Sequence, residues 1–110
     1  MKKKFVPCVN RPKGCPKQMR NLAGALAATG RAGEICEFIW GILTPPERSR
    51  ILLRWEFVKL LASGVSQRQI SRKLGISLCK ITRGSRELKR GPVGFAKIVE
   101  KGLQLERDGR

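Results

Sequence analysis

The chain has 110 residues, with 24 Lys and Arg against 8 Asp and Glu, a net charge of +16 and no His or Tyr. That length suits one domain with its own core, and a hydrophobic content of 41% excludes a disordered basic tail. Without His or Tyr, and with scattered acids, there is no evident nucleophile–base pair or two-metal carboxylate cluster, so an enzyme is not expected.

The sequence opens with MKKKFVPCVNRPKG, positive but followed by no apolar stretch, so no signal peptide is expected. No apolar run approaches the length of a membrane span. Together these predict a cytoplasmic protein with reduced thiols and no membrane partner. Cys8, Cys15, Cys36 and Cys79 form no C-x-x-C pair and have no His to complete a zinc site. They read as four small thiol side chains, with no metal and no cofactor.

Residues 1–16 are predicted to form a basic, extended arm, because Lys2, Lys3, Lys4, Arg11 and Lys13 are interspersed with Pro7, Pro12 and Pro16. Such an arm either tracks a nucleic-acid backbone or minor groove or serves only solubility. The charge is the footprint of a polyanion binder. A membrane-surface helix would need amphipathicity and aromatic anchors that this arm lacks. An aromatic content of 5% argues against single-strand stacking surfaces.

A helical domain over 17–105 follows. In KQMRNLAGALAATG, Met19, Leu22, Ala23 and Leu26 share a face and Gly30 can stop the helix. EICEFIWGIL predicts a short second helix. LTPPE then signals a helix start, with Thr44 as cap, Pro45 first in the helix and Glu47 completing a capping box. In the long third helix, PERSRILLRWEFVKLLASG, apolar residues from Ile51 to Leu61 spread around nearly the whole circumference. A helix apolar on all sides must be covered on all sides, which predicts a symmetric homodimer.

Ser66 with Gln69 makes a second capping box, Gly75 can take the left-handed backbone of a turn, and Ser77 caps the next helix, LCKITRGSRELK. Gly91-Pro92 breaks that helix and starts the last one, whose apolar face is Val93, Phe95, Ala96, Val99 and Leu103. Residues 106–110 are expected to fray. No strand-like alternation occurs, so the fold class is all-α with six helices.

Helix, glycine turn and helix over 66–85 is a helix-turn-helix. Ser71 and Gly75 are the small residues it needs, and Ile70, Leu74, Ile76 and Ile81 lock the pair together. The outer face is free to be basic, with no acid between Gly64 and Gly84. With the first helix across the backbone and the second in the major groove, Leu78, Cys79, Lys80 and Thr82 can reach base edges. Arg68, Arg72 and Lys73 suit phosphates, and Gln67 and Arg83 complete the predicted contacts to double-stranded DNA.

LTPPER at 43–48, Arg54, SQRQISRKLGIS at 66–77 and ITRGSRELK at 81–89 closely resemble the bacterial tryptophan repressor family, in order and spacing, from about Ile35 to Leu103. ITRGS is the most specific part. The resemblance implies an intertwined helical dimer that binds operator DNA, a docking geometry for which tryptophan repressor is itself a standard example. It also implies a pocket for L-tryptophan as corepressor, with control of tryptophan biosynthesis or transport genes.

Carried over, Arg54 and Arg83 would sandwich the indole, Arg83 would hold the carboxylate, and Gly84 would allow close approach. Leu43 and Thr44 of the partner subunit would meet the ammonium group. Arg54 amid Leu53 and Trp55 asks for such a partner, because a buried lone charge is expensive. Its other reading is a stem on the surface with its head in water.

Three positions depart from the family pattern. Glu87 replaces a serine near the ligand's amino group, where a carboxylate can pair with an ammonium or reach for Arg83. The Gly64-Val65 turn is one residue shorter, and Cys79-Lys80 replaces a small residue and a threonine. Two other functions fit the residues: a constitutive or differently liganded DNA-binding regulator, and a non-specific basic nucleic-acid-binding structural protein.

Overall fold

The computed structural model describes residues 14–109, which form six helices and, among the described residues, no strand. They are α1 (Lys17–Thr29), α2 (Ala32–Ile42), α3 (Pro45–Ala62), α4 (Gln67–Leu74), α5 (Leu78–Arg90) and α6 (Val93–Arg107). Most of the expected arm, residues 1–13, lies outside the described residues. The chain divides at Pro45–Pro46 into an N-terminal unit holding α1 and α2 and a C-terminal unit holding α3 to α6.

In the N-terminal unit α1 ends at Gly30, whose φ of 66° lets its N–H donate to the Leu26 carbonyl at 3.4 Å. α2 starts two residues before the expected Glu34. That places Glu34 in its first turn, where a carboxylate suits the positive end of the helix dipole. Neither helix buries a residue, and Phe38, Ile39, Trp40 and Ile42 of α2 are exposed. Among its described residues the unit has no buried core.

The C-terminal unit does have one. Phe57, Val58, Ile70, Ile76, Ile81 and Val99 are buried, and Trp55, Leu60, Leu61, Val65, Leu74, Leu88 and Phe95 pack against them. Ile70 and Ile81 are fully enclosed, one from each helix of the predicted helix-turn-helix. α3 begins at Pro45 as expected and ends in a Schellman motif: Val65 N–H donates to Leu60 O and Gly64 N–H to Leu61 O, both at 3.1 Å, with Gly64 at φ 97°. This motif is the Gly64-Val65 turn.

The outer part of α3 remains uncovered. Ile51, Leu52 and Leu53 are 47%, 57% and 40% exposed, so burial in this chain stops short of the apolar circumference read from sequence. Val93, Ile98 and Leu105 of α6 are also exposed.

The segment 106–110, expected to fray, overlaps the end of α6. α6 continues to Arg107 because Glu106 pairs with Lys59 of α3, and Arg107 donates to Glu100 at 3.2 Å. Lys59 is buried, also lies 3.6 Å from Glu56, and sits 5.5 Å from the centre of the Trp55 ring. Its hydrogen bond to Glu106 raises its pKa above the usual lysine value; burial opposes this and Glu56 adds to it. Gly102 of α6 makes room for Trp55, since a Cβ there would come within 2.8 Å of the indole Cη2.

Candidate nucleic-acid interface and adjoining cavity

The helix-turn-helix is assembled from local chemistry. Ser66 caps α4 by accepting from Gln69 N–H at 3.2 Å, while the Gln69 side chain accepts from Ser66 N–H. Gly75 stands at φ 68°. Ser77 caps α5 by accepting from Lys80 N–H at 3.4 Å. Ser71 serves as more than a small residue: its hydroxyl donates to the Ile76 carbonyl at 2.6 Å and ties α4 across the turn.

Most of the residues expected to touch DNA are on the surface. Arg68, Arg72, Lys73, Leu78, Cys79, Lys80, Thr82 and Arg83 are exposed and Gln67 is half-buried. The Thr82 hydroxyl donates to the Gln67 Oε1 at 2.8 Å and joins α5 to the start of α4. Stepping round α5 at about 100° per residue puts Arg86 and Arg90 on the same side as Cys79 and Thr82, and both are exposed. Sequence reasoning omitted these two cations, although their spacing from Cys79 contained the signal.

Beside this surface, α3, α5 and α6 enclose a cavity of about 390 Å³. Its walls are mainly apolar: Ile51, Trp55, Phe57, Val58, Phe95, Ile98 and Val99. Four charged side chains join them, Arg54 from α3 and Lys80, Arg83 and Glu87 from α5, with Gly84 between. Lys80, Arg83, Gly84 and Glu87 share one face of α5 because they are spaced three, four and seven residues apart.

The cavity therefore gathers Arg54, Arg83, Gly84 and Glu87, four of the six expected ligand residues. Leu43 caps the end of α2 and Thr44 follows it, both in the N-terminal unit. Their expected role concerns a second subunit.

Lys80, expected at base edges, is exposed and also lines the cavity. Arg54 is exposed, so its charge is not stranded in an apolar interior and needs no partner on that ground. The room at Gly84 belongs first to the protein itself. A Cβ there would lie 2.6 Å from Phe57 Cε1 and 3.4 Å from Val58 Cγ1, so glycine is what lets α3 and α5 approach. The lining by Trp55, Phe95 and Ile98 was missed because it needs the pairing of α3 with α6.

Cys15, Cys36 and Cys79 are free thiols, and no group of His, Cys, Asp or Glu among the described residues could hold a metal. No described helix is long and apolar enough to cross a membrane.

The family model for Trp repressor protein matches residues 17–103. A Trp operon repressor homolog from Aliivibrio fischeri is 40% identical over 61% of this chain and 67% of its own length. One from Actinobacillus succinogenes is 38% identical over 69% of this chain and 76% of its own. One from Vibrio vulnificus is 49% identical over 44% of this chain, which spans about half (48%) of that relative. No solved structure gives a significant match. With an exposed helix-turn-helix and a match running from α1 into α6, the chain belongs to the Trp repressor protein family, as a DNA-binding transcription regulator and not an enzyme.

Proposed function

We propose that the protein is a sequence-specific repressor that binds operator DNA as a symmetric dimer and takes L-tryptophan as its corepressor, controlling tryptophan biosynthesis or transport genes. One observation carries this reading. Arg54 of α3 and Arg83, Gly84 and Glu87 of α5 line a single apolar cavity beside the DNA-facing helices. Its size is in the range of small-molecule sites. A guanidinium both stacks on an indole plane and pairs with a carboxylate, which suits Arg54 and Arg83 to the two halves of the amino acid.

Because α5 is at once a wall of the cavity and the predicted reading helix, a ligand there bears directly on its position. The uncovered apolar residues of α2, α3 and α6 support a second copy as the partner. The basic residues among 1–16 add, in this proposal, salt-sensitive affinity.

Calorimetry tests the effector. Heat of binding with L-tryptophan is expected, and its absence both for the protein alone and for the protein with DNA would overturn the reading. A constitutive or differently liganded regulator is the second reading. It is favoured by the Phe57 ring against Gly84, which takes space otherwise open to a ligand, and by Glu87 at the cavity.

A further inference from the structure

The second half of α5 carries charge that neither its packing nor the cavity uses. Arg86, Lys89 and Arg90 are all exposed, and none of them lines the space between α3, α5 and α6. The negative end of the helix accounts for cations in its last turn, which holds Lys89 and Arg90, but not for Arg86. At about 100° per residue, Arg86 lies about 40° to one side of Thr82, Lys89 about 20° to the other, and Arg90 about 80° away. The three therefore continue the face that presents Leu78, Cys79 and Thr82, residues expected at base edges.

That face is divided by chemistry, uncharged at its N-terminal end and cationic at its C-terminal end. Arg86, Lys89 and Arg90 stand about 6, 10.5 and 12 Å beyond Thr82 along the helix axis. The major groove is about 8.5 Å deep, so a helix that meets base edges with its first turns brings these positions level with the rim, where the phosphates run. Side chains on a helix tilt toward its N-terminus, so long cations here reach back toward the DNA. Lys89 also borders a recess lined by Ser66 and Gln67 at the start of α4, which sets it beside another residue expected at DNA.

Resting on the DNA-binding reading above, we propose that Arg86, Lys89 and Arg90 form a phosphate clamp at the outer end of α5, gripping the backbone at the rim of the groove that the inner end reads. The clamp supplies affinity for duplex DNA of any sequence. It leaves the choice of bases to Leu78, Cys79 and Thr82.

The test is an anisotropy titration of the full chain at several salt concentrations, on a palindromic duplex selected by this protein from a randomised pool and on a scrambled duplex. Each phosphate contact contributes ~0.9 to the slope of log affinity against log salt, and a dimer presents each cation twice. Arg86→Gln/Lys89→Gln/Arg90→Gln should therefore lower the slope by ~3 to 5 on both duplexes. Its preference for the palindrome over single-base variants should stay within about twofold of wild type. Arg86→Lys/Arg90→Lys, which keeps the charges, should keep the slope. Lys97→Gln/Lys101→Gln, which removes two exposed cations of α6, should lower it by less than ~1, because charges off the contact surface are screened.

An unchanged slope for the triple variant would overturn the inference. So would an equal loss per charge from the α6 pair, which would mark a general field, or a changed order of preferred bases, which would make the three residues readers. If the wild type held the selected palindrome no more tightly than the scrambled duplex, the sequence-specific repressor reading would fall, and the slopes on the scrambled duplex would still decide the clamp. All the substituted side chains are exposed, so matched thermal melting curves are expected.

Discussion

Gly84 shows how a single missing methyl sets both fold and site. Adding one, as Gly84→Ala, drives a Cβ to 2.6 Å from the Phe57 ring. Overpacking of this kind costs roughly 1–3 kcal/mol, so denaturant melts should show that loss, and Phe57→Leu in the same chain should recover most of it. Arg83 carries the opposite kind of role, exposed and dispensable for packing. Arg83→Ala should leave the melting temperature within about 4 °C, since surface changes rarely exceed ±0.5 kcal/mol. It should nonetheless remove about 2–3 kcal/mol of effector affinity, the worth of a charged hydrogen bond, as read by calorimetry.

Lys59 links residue chemistry to pH. Its folded pKa is raised, chiefly by the hydrogen bond to Glu106. The folded chain therefore holds this proton more tightly than the unfolded chain does. The stabilisation is complete below the ordinary lysine value of about 10.4 and is lost as pH climbs through the folded value. Melting temperatures measured on either side of that range should show wild type losing stability at alkaline pH more steeply than Lys59→Met. Parallel curves would contradict the assignment.

Among the elements, α4 and α5 were the most legible from sequence. Capping by Ser66 and Ser77 and the turn at Gly75 depend on residues within four positions of one another, and local chemistry survives whatever packs around it. Gly75→Ala should cost about 1 kcal/mol for the left-handed backbone alone. Ser71→Ala should cost about 1–3 kcal/mol, because it leaves the Ile76 carbonyl without its donor. Two-state denaturation resolves both.

What the sequence hid is tertiary. The persistence of α6 to Arg107 depends on an ion pair spanning 47 positions, and no local feature around Glu106 announces it. The same holds for Trp55 and Ile98 as cavity walls, and for the turning of Lys80 toward that cavity, which needs the packing of α5 on α3. The bond of Thr82 to Gln67 emerges only when α4 lies alongside α5.

For the whole molecule, the apolar residues left on the surface describe a half-finished interior. Helices α1 and α2 bury no residue, and α3 keeps Ile51, Leu52 and Leu53 in the open. In the proposed dimer a second copy covers them, and the two copies of α5 read the two halves of a palindrome. Sedimentation equilibrium should find dimers at micromolar concentration, and Leu52→Asp should shift the population toward monomers. With so much charge on α4 and α5, operator affinity should also fall steeply with salt.

The most direct test is an anisotropy titration of a palindromic duplex, selected by this protein from a randomised pool, at fixed salt with and without L-tryptophan. The account predicts binding at least ~10-fold tighter with the amino acid, a coupling of about 1.4 kcal/mol, and no such gain for Arg83→Ala. Superimposable isotherms for the wild type would contradict it.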